Sequence, residues 1–338
     1  MTDLKKLEEQ TQAPSPALIR DMKKLEGDLM LLGAGGKMGP SLAVLAKKAL
    51  EQAGKDNAVI GVSRFSDAAV QQNLEAQGIQ TIKADLLDEA QLAGLPEAEN
   101  VLYMAGTKFG TTGRESFTWA MNAYLPGRVA KKFRNSRIVV FSTGNIYPFV
   151  AVISGGATED TTPHPVGEYA QSCLGRERMF EHFSQKYQTP CLIYRLNYAI
   201  DFRYGVLQEI GRSVLEEREI DLSSGHVNVI WQGDANEYAL RCLHLCQSPA
   251  YKLNITGPET VSVRWAAQEF GKLLDKKPIL VGEEQSTALL NNATLVHQLL
   301  DYPKVSLREM IRLLSVWLSS GGETINKPTH FQERKGNY

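Results

Sequence analysis

"DLMLLGAGGKMGPSLAVLAKKALEQA", residues 28–53, decides the fold. An apolar run breaks at a glycine turn and resumes with apolar residues at helical spacing, so it reads as strand, turn, helix. Gly33, Gly36 and Gly39 stand in the spacing G-x-x-G-x-x-G, with Lys37 and Met38 between the last two. Side chains at such a turn would keep a pyrophosphate from the backbone N–H groups at the helix N-terminus. Gly39 lets the helix lie close to the strand, and Pro40 suits a first helical turn, where its missing N–H is tolerated. In this setting the stretch is read as a dinucleotide cradle rather than as a merely tight turn.

Further units follow outward from it. "NAVIGVSR", "IQTIKADL", "NVLYMAG", "SRIVVFSTG" and "CLIYRLNYAI" are short apolar strands separated by helical stretches, among them "RESFTWAMNAYLPGRVAKKF" and "EYAQSCLGRERMFEHF". Strands alternating with helices give a doubly wound parallel sheet of the Rossmann type. Its ligand edge lies at the strand C-termini. After about residue 198 the pattern turns mixed. Four segments are expected: a polar helical extension over 1–26, the dinucleotide-binding domain over 27–198, a smaller mixed α/β substrate lobe over 199–320, and a tail over 321–338 that packs on the surface or frays.

The second strand ends "GVSRF". Ser63 stands where an acid would hold a ribose 2′-OH, and Arg64 follows. A cation there can pair with a 2′-phosphate, which favours NADP over NAD; otherwise Arg64 stacks on the adenine or faces solvent. Asp85, ending the third strand beside Leu86, either reaches the adenine amino group or caps its own loop.

Composition narrows the class. A net charge of −1 offers no basic field for nucleic acid or an acidic membrane surface. No apolar run is long enough to span a bilayer, and the charged start of the chain is not a secretory signal. Four cysteines in 338 residues do not suggest a disulfide framework, so the cytoplasm is expected. Cys242 and Cys246, flanking His244, fall within a helical pattern and read as buried packing; no metal site is expected.

The order of these features resembles the extended short-chain dehydrogenase/reductases, the NAD-dependent epimerase/dehydratase group, over roughly residues 28–320. The resemblance rests on the glycine turn, the strand-end Asp85, "YMAG" at 103–106, Asn122, "STGNIYP" at 142–148, "TEDTTPHPVGEYAQS" at 158–172, "YRLNYAI" with Arg195 and Asn197, and two stretches near 229–240 and 253–270. It implies a nicotinamide cofactor near Ala105, Gly106, Asn122 and Asn197. It also implies a sugar, sugar acid or nucleotide sugar as substrate, and a homodimer formed through a pair of helices per subunit. By position, Tyr169 is the acid/base and Thr143 holds the substrate oxygen, while Tyr147 belongs to the strand motif.

The resemblance breaks at position 173. The family has a lysine there that binds the nicotinamide ribose and lowers the tyrosine pKa; this chain has Cys173. A tyrosine with a pKa near ~10 is a poor base at neutral pH without a cation beside it. Cys173 is expected to be inert filler. Arg176, two turns after Tyr169, supplies charge but relays no proton. Lys108, after the fourth strand, is the first choice for the missing cation, and Arg114 shares its loop. Gly144 and Asn145 replace the Asp–Glu pair of the family's dehydratases, which argues against acid-assisted dehydration. His226, Asn228 and Trp231 are candidate pocket residues of the lobe. Two functions remain: a sugar-directed oxidoreductase or epimerase, or a non-catalytic dinucleotide-binding sensor or scaffold.

Overall fold

The structure, a computed structural model, describes residues 4–108 and 113–336. The middle of the loop that carries Lys108 and Arg114, residues 109–112, lies outside it. Seven parallel strands form the central sheet: β1 (Leu29–Leu32), β2 (Val59–Ser63), β3 (Gln80–Lys83), β4 (Asn100–Tyr103), β5 (Arg137–Thr143), β6 (Cys191–Leu196) and β7 (Tyr251–Ile255). Their order is β7-β6-β5-β4-β1-β2-β3. β1 and β4 are buried along their whole length, as strands covered by helices on both faces must be. The strand order reverses between β1 and β4, so a crevice opens beyond their C-termini. The glycine turn enters that crevice from one side and residues 104–108 from the other.

Eight helices matter for the site and its support: α1 (Leu4–Thr11), α2 (Pro16–Lys23), α3 (Gly39–Gln52), α4 (Gly167–Tyr187), α5 (Val206–Leu215), α6 (Gln232–Arg241), α7 (Val263–Leu274) and α8 (Leu307–Ser319). The six expected strands and the Rossmann-type architecture are all present. The stretch expected as helix between β4 and β5 is helical over 115–132, but with a π turn at Ala120–Tyr124. One extra residue per turn rotates Asn122 into the interior, where it is fully buried.

At three of the expected segments the structure adds contacts that the local sequence does not show. β7, read as part of the lobe, is the last strand of the sheet and pairs with β6 through Leu253↔Tyr194 and its neighbours. The chain therefore leaves the sheet after β6 and returns to it. The start of the chain is no separate extension: Ser15 caps α2 by accepting from Leu18 N at 3.1 Å, and Leu18, Met22 and Leu25 are fully buried in the core that also holds α3. The tail does not fray. Ile325 N donates to Arg203 O and Thr329 N to Glu209 Oε2, while Phe331 is buried in the lobe. Arg334 then donates to Thr287, and Gly336 packs on Gly167 at the start of α4.

The lobe has its own core, with Phe202 stacked on Trp317 (centroids 4.8 Å apart) and edge-on to Trp231 (4.9 Å). Trp231 is thus core. Asn228 is spent on Asn291 N (2.7 Å) and Glu259 O (3.0 Å), and His226 sits in a short strand paired with Ser262. None of the three lines a main cavity. Cys242 and Cys246 pack beside the core, and no metal-binding cluster occurs among the described residues. Among them, too, no helix is long and apolar enough to cross a membrane.

If the first residues are structural, Leu18→Ala leaves a cavity beside α3. Stability is expected to fall by about 2–5 kcal/mol. Urea unfolding followed by circular dichroism checks this; a loss within error of zero would return α2 to the status of an appendage.

Candidate active site

Two cavities occupy the crevice. The smaller, about 230 Å³, is lined by Ser63, Arg64, Asp85, Leu86 and Ala105; the larger, about 330 Å³, by Lys37, Met38, Gly39, Lys108, Thr143, Tyr169 and Asn197. Gly33, Gly36 and Gly106 border both, so the cavities meet at the glycine turn. Each glycine has its own reason. Gly33 has φ +102°, and a Cβ there would come within 2.9 Å of Ala105 N. A Cβ on Gly39 would lie 2.3 Å from Ala34 O, so this glycine sets the approach of α3 to the turn. Gly36 meets little but Gly33 O, at 3.2 Å, and its open side faces the cavities. Gly35, missed by the G-x-x-G-x-x-G reading, is equally constrained, because its Cβ would lie 2.6 Å from Ser63 Oγ. A backbone cradle at a helix N-terminus, with one cavity on each side, fits a dinucleotide.

Asp85 caps its own loop, its Oδ1 accepting from Leu87 N (3.0 Å), and the residue lines the smaller cavity. Arg64 is exposed at the same cavity. Asn122 is corrected. It lines neither cavity and clamps the 106–108 loop, accepting from Thr107 N (2.9 Å) and donating to Thr107 O (2.8 Å) and Ser172 Oγ (3.1 Å). Its bearing on the cofactor is indirect.

α4 brings the reacting groups together. The Tyr169 hydroxyl is hydrogen-bonded to Thr143 and to Cys173, the latter one turn along the helix. Thr143 Oγ1 is held by Asn145, accepting from its N–H at 3.2 Å. Burial drives the Tyr169 phenol well above its ordinary value; Cys173 adds to the rise, and the Arg176 charge opposes it. The Cys173 thiol is raised by its own burial, so it stays a neutral filler.

A cation whose charge acts on the tyrosine is Arg176. Its side chain leans back toward the helix N-terminus and is 6 % exposed. Nη1 donates to Phe141 O (2.7 Å) at the end of β5, and Nη2 to Asn122 Oδ1 (2.8 Å). A Cβ on Gly106 would stand 2.4 Å from Nη2, so that glycine makes room for the guanidinium. Nε has no protein partner although it is buried. Lys108, the first choice from the sequence, also approaches, with Nζ 5.8 Å from the Tyr169 ring centroid. Lys37 stretches from the glycine turn to stand 3.7 Å from the Tyr204 ring centroid. Burial pushes the ammonium groups of Lys37 and Lys108 each down to about 8, although the Lys37 chain itself is open to the cleft.

Comparison with known proteins agrees with this geometry. The family model described as "NAD dependent epimerase/dehydratase family" matches residues 29–205, more than half of the chain. No curated protein matches the sequence at a significant level. Among solved structures, UDP-glucose 4-epimerase from Thermotoga maritima is similar at a TM-score of 0.70 and 17% identity, over 87% of this chain and 99% of that one. An epimerase from Methanothermobacter thermautotrophicus gives 0.73 and 17%, over 90% and 96%. UDP-glucuronic acid 4-epimerase from Bacillus cereus, solved with NAD, gives 0.70 and 17%, over 87% and 99%. At such identities these likenesses establish the fold alone.

The lysines carry a pH signature. Their charged forms are disfavoured in the fold, so between about pH 8 and the ordinary value of 10.5 the unfolded chain holds more protons and their contribution to stability rises with pH. The unfolding free energy of the wild type, relative to a Lys37→Met/Lys108→Met double variant, is expected to grow from about pH 8 to about pH 10. A difference that stays flat across that range would show that the cleft does not depress these groups.

Proposed function

The chain belongs to the NAD-dependent epimerase/dehydratase family, a family of enzymes, and from that premise we propose that it is a nicotinamide-dependent oxidoreductase or epimerase acting on a sugar, sugar acid or nucleotide sugar. The observation that carries the reading is that Tyr169 and Thr143 line one cavity together with the glycine turn. A sensor or scaffold has no need of that pair. We assign the adenosine side of the cofactor to Ser63, Arg64, Asp85 and Leu86, and prefer NADP on the strength of Arg64. The NAD bound in similar structures belongs to those proteins and leaves the preference to experiment.

When bound, the dinucleotide accepts and returns a hydride. The chain's own residues do the rest. Thr143 orients the substrate oxygen, and Tyr169, kept a neutral phenol by its burial, gives its proton to that oxygen when a carbonyl is reduced and takes it back in the reverse direction. Arg176 stabilises the phenolate that forms when Tyr169 gives its proton up. It is always charged and relays nothing, so the proton passes only between Tyr169 and the substrate oxygen. The mechanism thus keeps its cation but draws it from two turns along α4, with Cys173 leaving neutral space between. A lysine at 173 would set a second ammonium beside that guanidinium.

The homodimer is also our proposal. Trp119, Tyr124 and Met179 are exposed on the 115–132 helical stretch and on α4, an apolar face of the kind a second copy would cover. We place the protein in the cytoplasm, where its four free cysteines would stay reduced.

Turnover tests the reading. Incubated with NADP⁺ or NAD⁺ and a panel of sugars, sugar acids and nucleotide sugars, the protein should change the reduced-nicotinamide absorbance or interconvert epimers. Tyr169→Phe is expected to lower kcat by about 10²–10⁴-fold. Arg176→Met should lower kcat and move the basic limb of the pH profile upward, and adding Cys173→Lys to it should restore both in part. Tight cofactor binding with no turnover across the panel would favour the sensor.

A further inference from the structure

Residues 323–336 form neither helix nor strand, yet they run as a strap from the lobe to the start of α4 and are fastened along the way. Trp317 Nε1 donates to Glu323 O (2.9 Å), and Ile325 N to Arg203 O (3.0 Å). Phe331 is buried in the lobe core. The Arg334 guanidinium lies over the Phe149 ring, 4.2 Å from its centroid, and donates to Thr287 Oγ1 at 2.6 Å. Gly336 and Gly167 then pack against each other. A Cβ on Gly336 would stand 2.6 Å from Gly167 Cα, and one on Gly167 would stand 2.4 Å from Gly336 O. Gly167 is the first residue of α4, the helix that carries Tyr169.

The strap delivers one of its residues to the larger cavity. Thr329 lines that cavity and is 4 % exposed. Its N–H donates to Glu209 Oε2 of α5 (2.7 Å), and its Oγ1 accepts from Phe331 N (3.4 Å). Among the described residues no acceptor meets its O–H, and the space beside it is the cavity. A buried hydroxyl ordinarily finds a partner for its proton. The flanking backbone is also constrained: Asn326 has φ +54° and His330 +56°. Left-handed angles outside glycine persist where surrounding contacts enforce them, and they gather at functional sites. Covering the lobe core calls for Phe331 but for no hydroxyl at 329, where a valine would fill the same volume.

The adjoining wall offers similar chemistry. Tyr204 lines the same cavity, and burial, then the Glu209 charge, push its phenol up to about 12, so it stays a neutral hydroxyl. Neutral hydroxyl donors suit a ligand whose own hydroxyls both donate and accept. Resting on the reading of the Tyr169–Thr143 cavity as the substrate site, we propose that the C-terminal strap is a wall of that site and that Thr329 is a specificity-determining residue, its hydroxyl donating to a hydroxyl oxygen of the bound sugar. A sugar lacking that oxygen leaves the donor unpaired, which is how such a site rejects it.

Equilibrium binding to the cofactor-saturated protein tests this. The probes are D-glucose, D-galactose, D-glucuronate and D-galacturonate, free and as their uridine diphosphate esters, then the monodeoxy analogues of whichever binds tightest. Thr329→Val removes the hydroxyl and keeps the volume, while Thr329→Ser keeps the hydroxyl. Thr329→Val should weaken that probe about three- to tenfold with cofactor affinity unchanged, and Thr329→Ser should stay within about twofold of the wild type. One deoxy analogue should show a similar loss on the wild type and no further loss on Thr329→Val. A lowered unfolding midpoint leaves this comparison decisive, since a merely structural defect weakens every analogue alike. Unchanged binding by Thr329→Val overturns the proposal and leaves the sugar-directed enzyme standing. So do losses that add at every deoxy position, because Thr329 then touches no sugar hydroxyl. Failure of every probe to bind or turn over on the wild type overturns the sugar reading and the role of Thr329 together.

Discussion

The buried guanidinium of Arg176 is the contact on which the arrangement of this site depends. It joins the end of β5 through Phe141 O, the π turn through Asn122, and the β4 loop through the space left by Gly106. A charge so enclosed is tolerable only with hydrogen-bonding partners around it, and these partners are the backbone and amide groups that shape the cleft. Removing the guanidinium would loosen three elements at once. Asn122 is part of the same clamp, since its side chain also holds both backbone groups of Thr107 and so fixes the path toward Lys108.

The next residue secures the same helix to the other side of the sheet. Glu177 is fully buried, pairs with Arg195 of β6 at 2.8 Å, and accepts from Ser142 at 2.6 Å. Arg195 donates in turn to the Tyr147 hydroxyl, which donates to Asn254 of β7. A buried pair of this kind is weak evidence for net stability, but breaking it leaves a naked charge, at a cost of about 3–5 kcal/mol. Its consequence here is positional. Arg176 and Glu177 together fix the rotation and height of α4 against β5, β6 and β7, and hence where the Tyr169 hydroxyl stands relative to Thr143. Tyr147, which sequence motifs alone could confuse with the base, is absorbed into this support.

Much of the fold was legible because its signals are local. Continuous apolar strands such as "LMLL" and "IVVFST" followed by glycine or helical periodicity announce a parallel sheet, and all the cofactor-side residues chosen from the motifs line a cavity except Asn122. What was not legible depends on contacts between distant segments. "YKLNITG" is as readily a lobe strand as a sheet strand; only pairing with β6 decides it. Phe331 and Thr329 are isolated in a polar tail, and nothing local reveals that they are buried against α5 and the lobe core. The place of Arg176 could be reached from the direction in which helical side chains lean, but its reach depends on Gly106 and Asn122 being where they are. Gly35 had a readable signal, a fourth glycine in the turn, yet its reason lies across the strand at Ser63.

A crystal structure of the protein with its nicotinamide dinucleotide would show whether the cleft seats the cofactor as its residues imply. The adenosine half is expected beside Ser63, Arg64 and Asp85, the nicotinamide half in the cavity of Tyr169 and Thr143, and the Arg176 guanidinium still on Phe141 O and Asn122. A nicotinamide half left outside that cavity, or an Arg176 displaced from it with a lysine in its stead, would contradict the account.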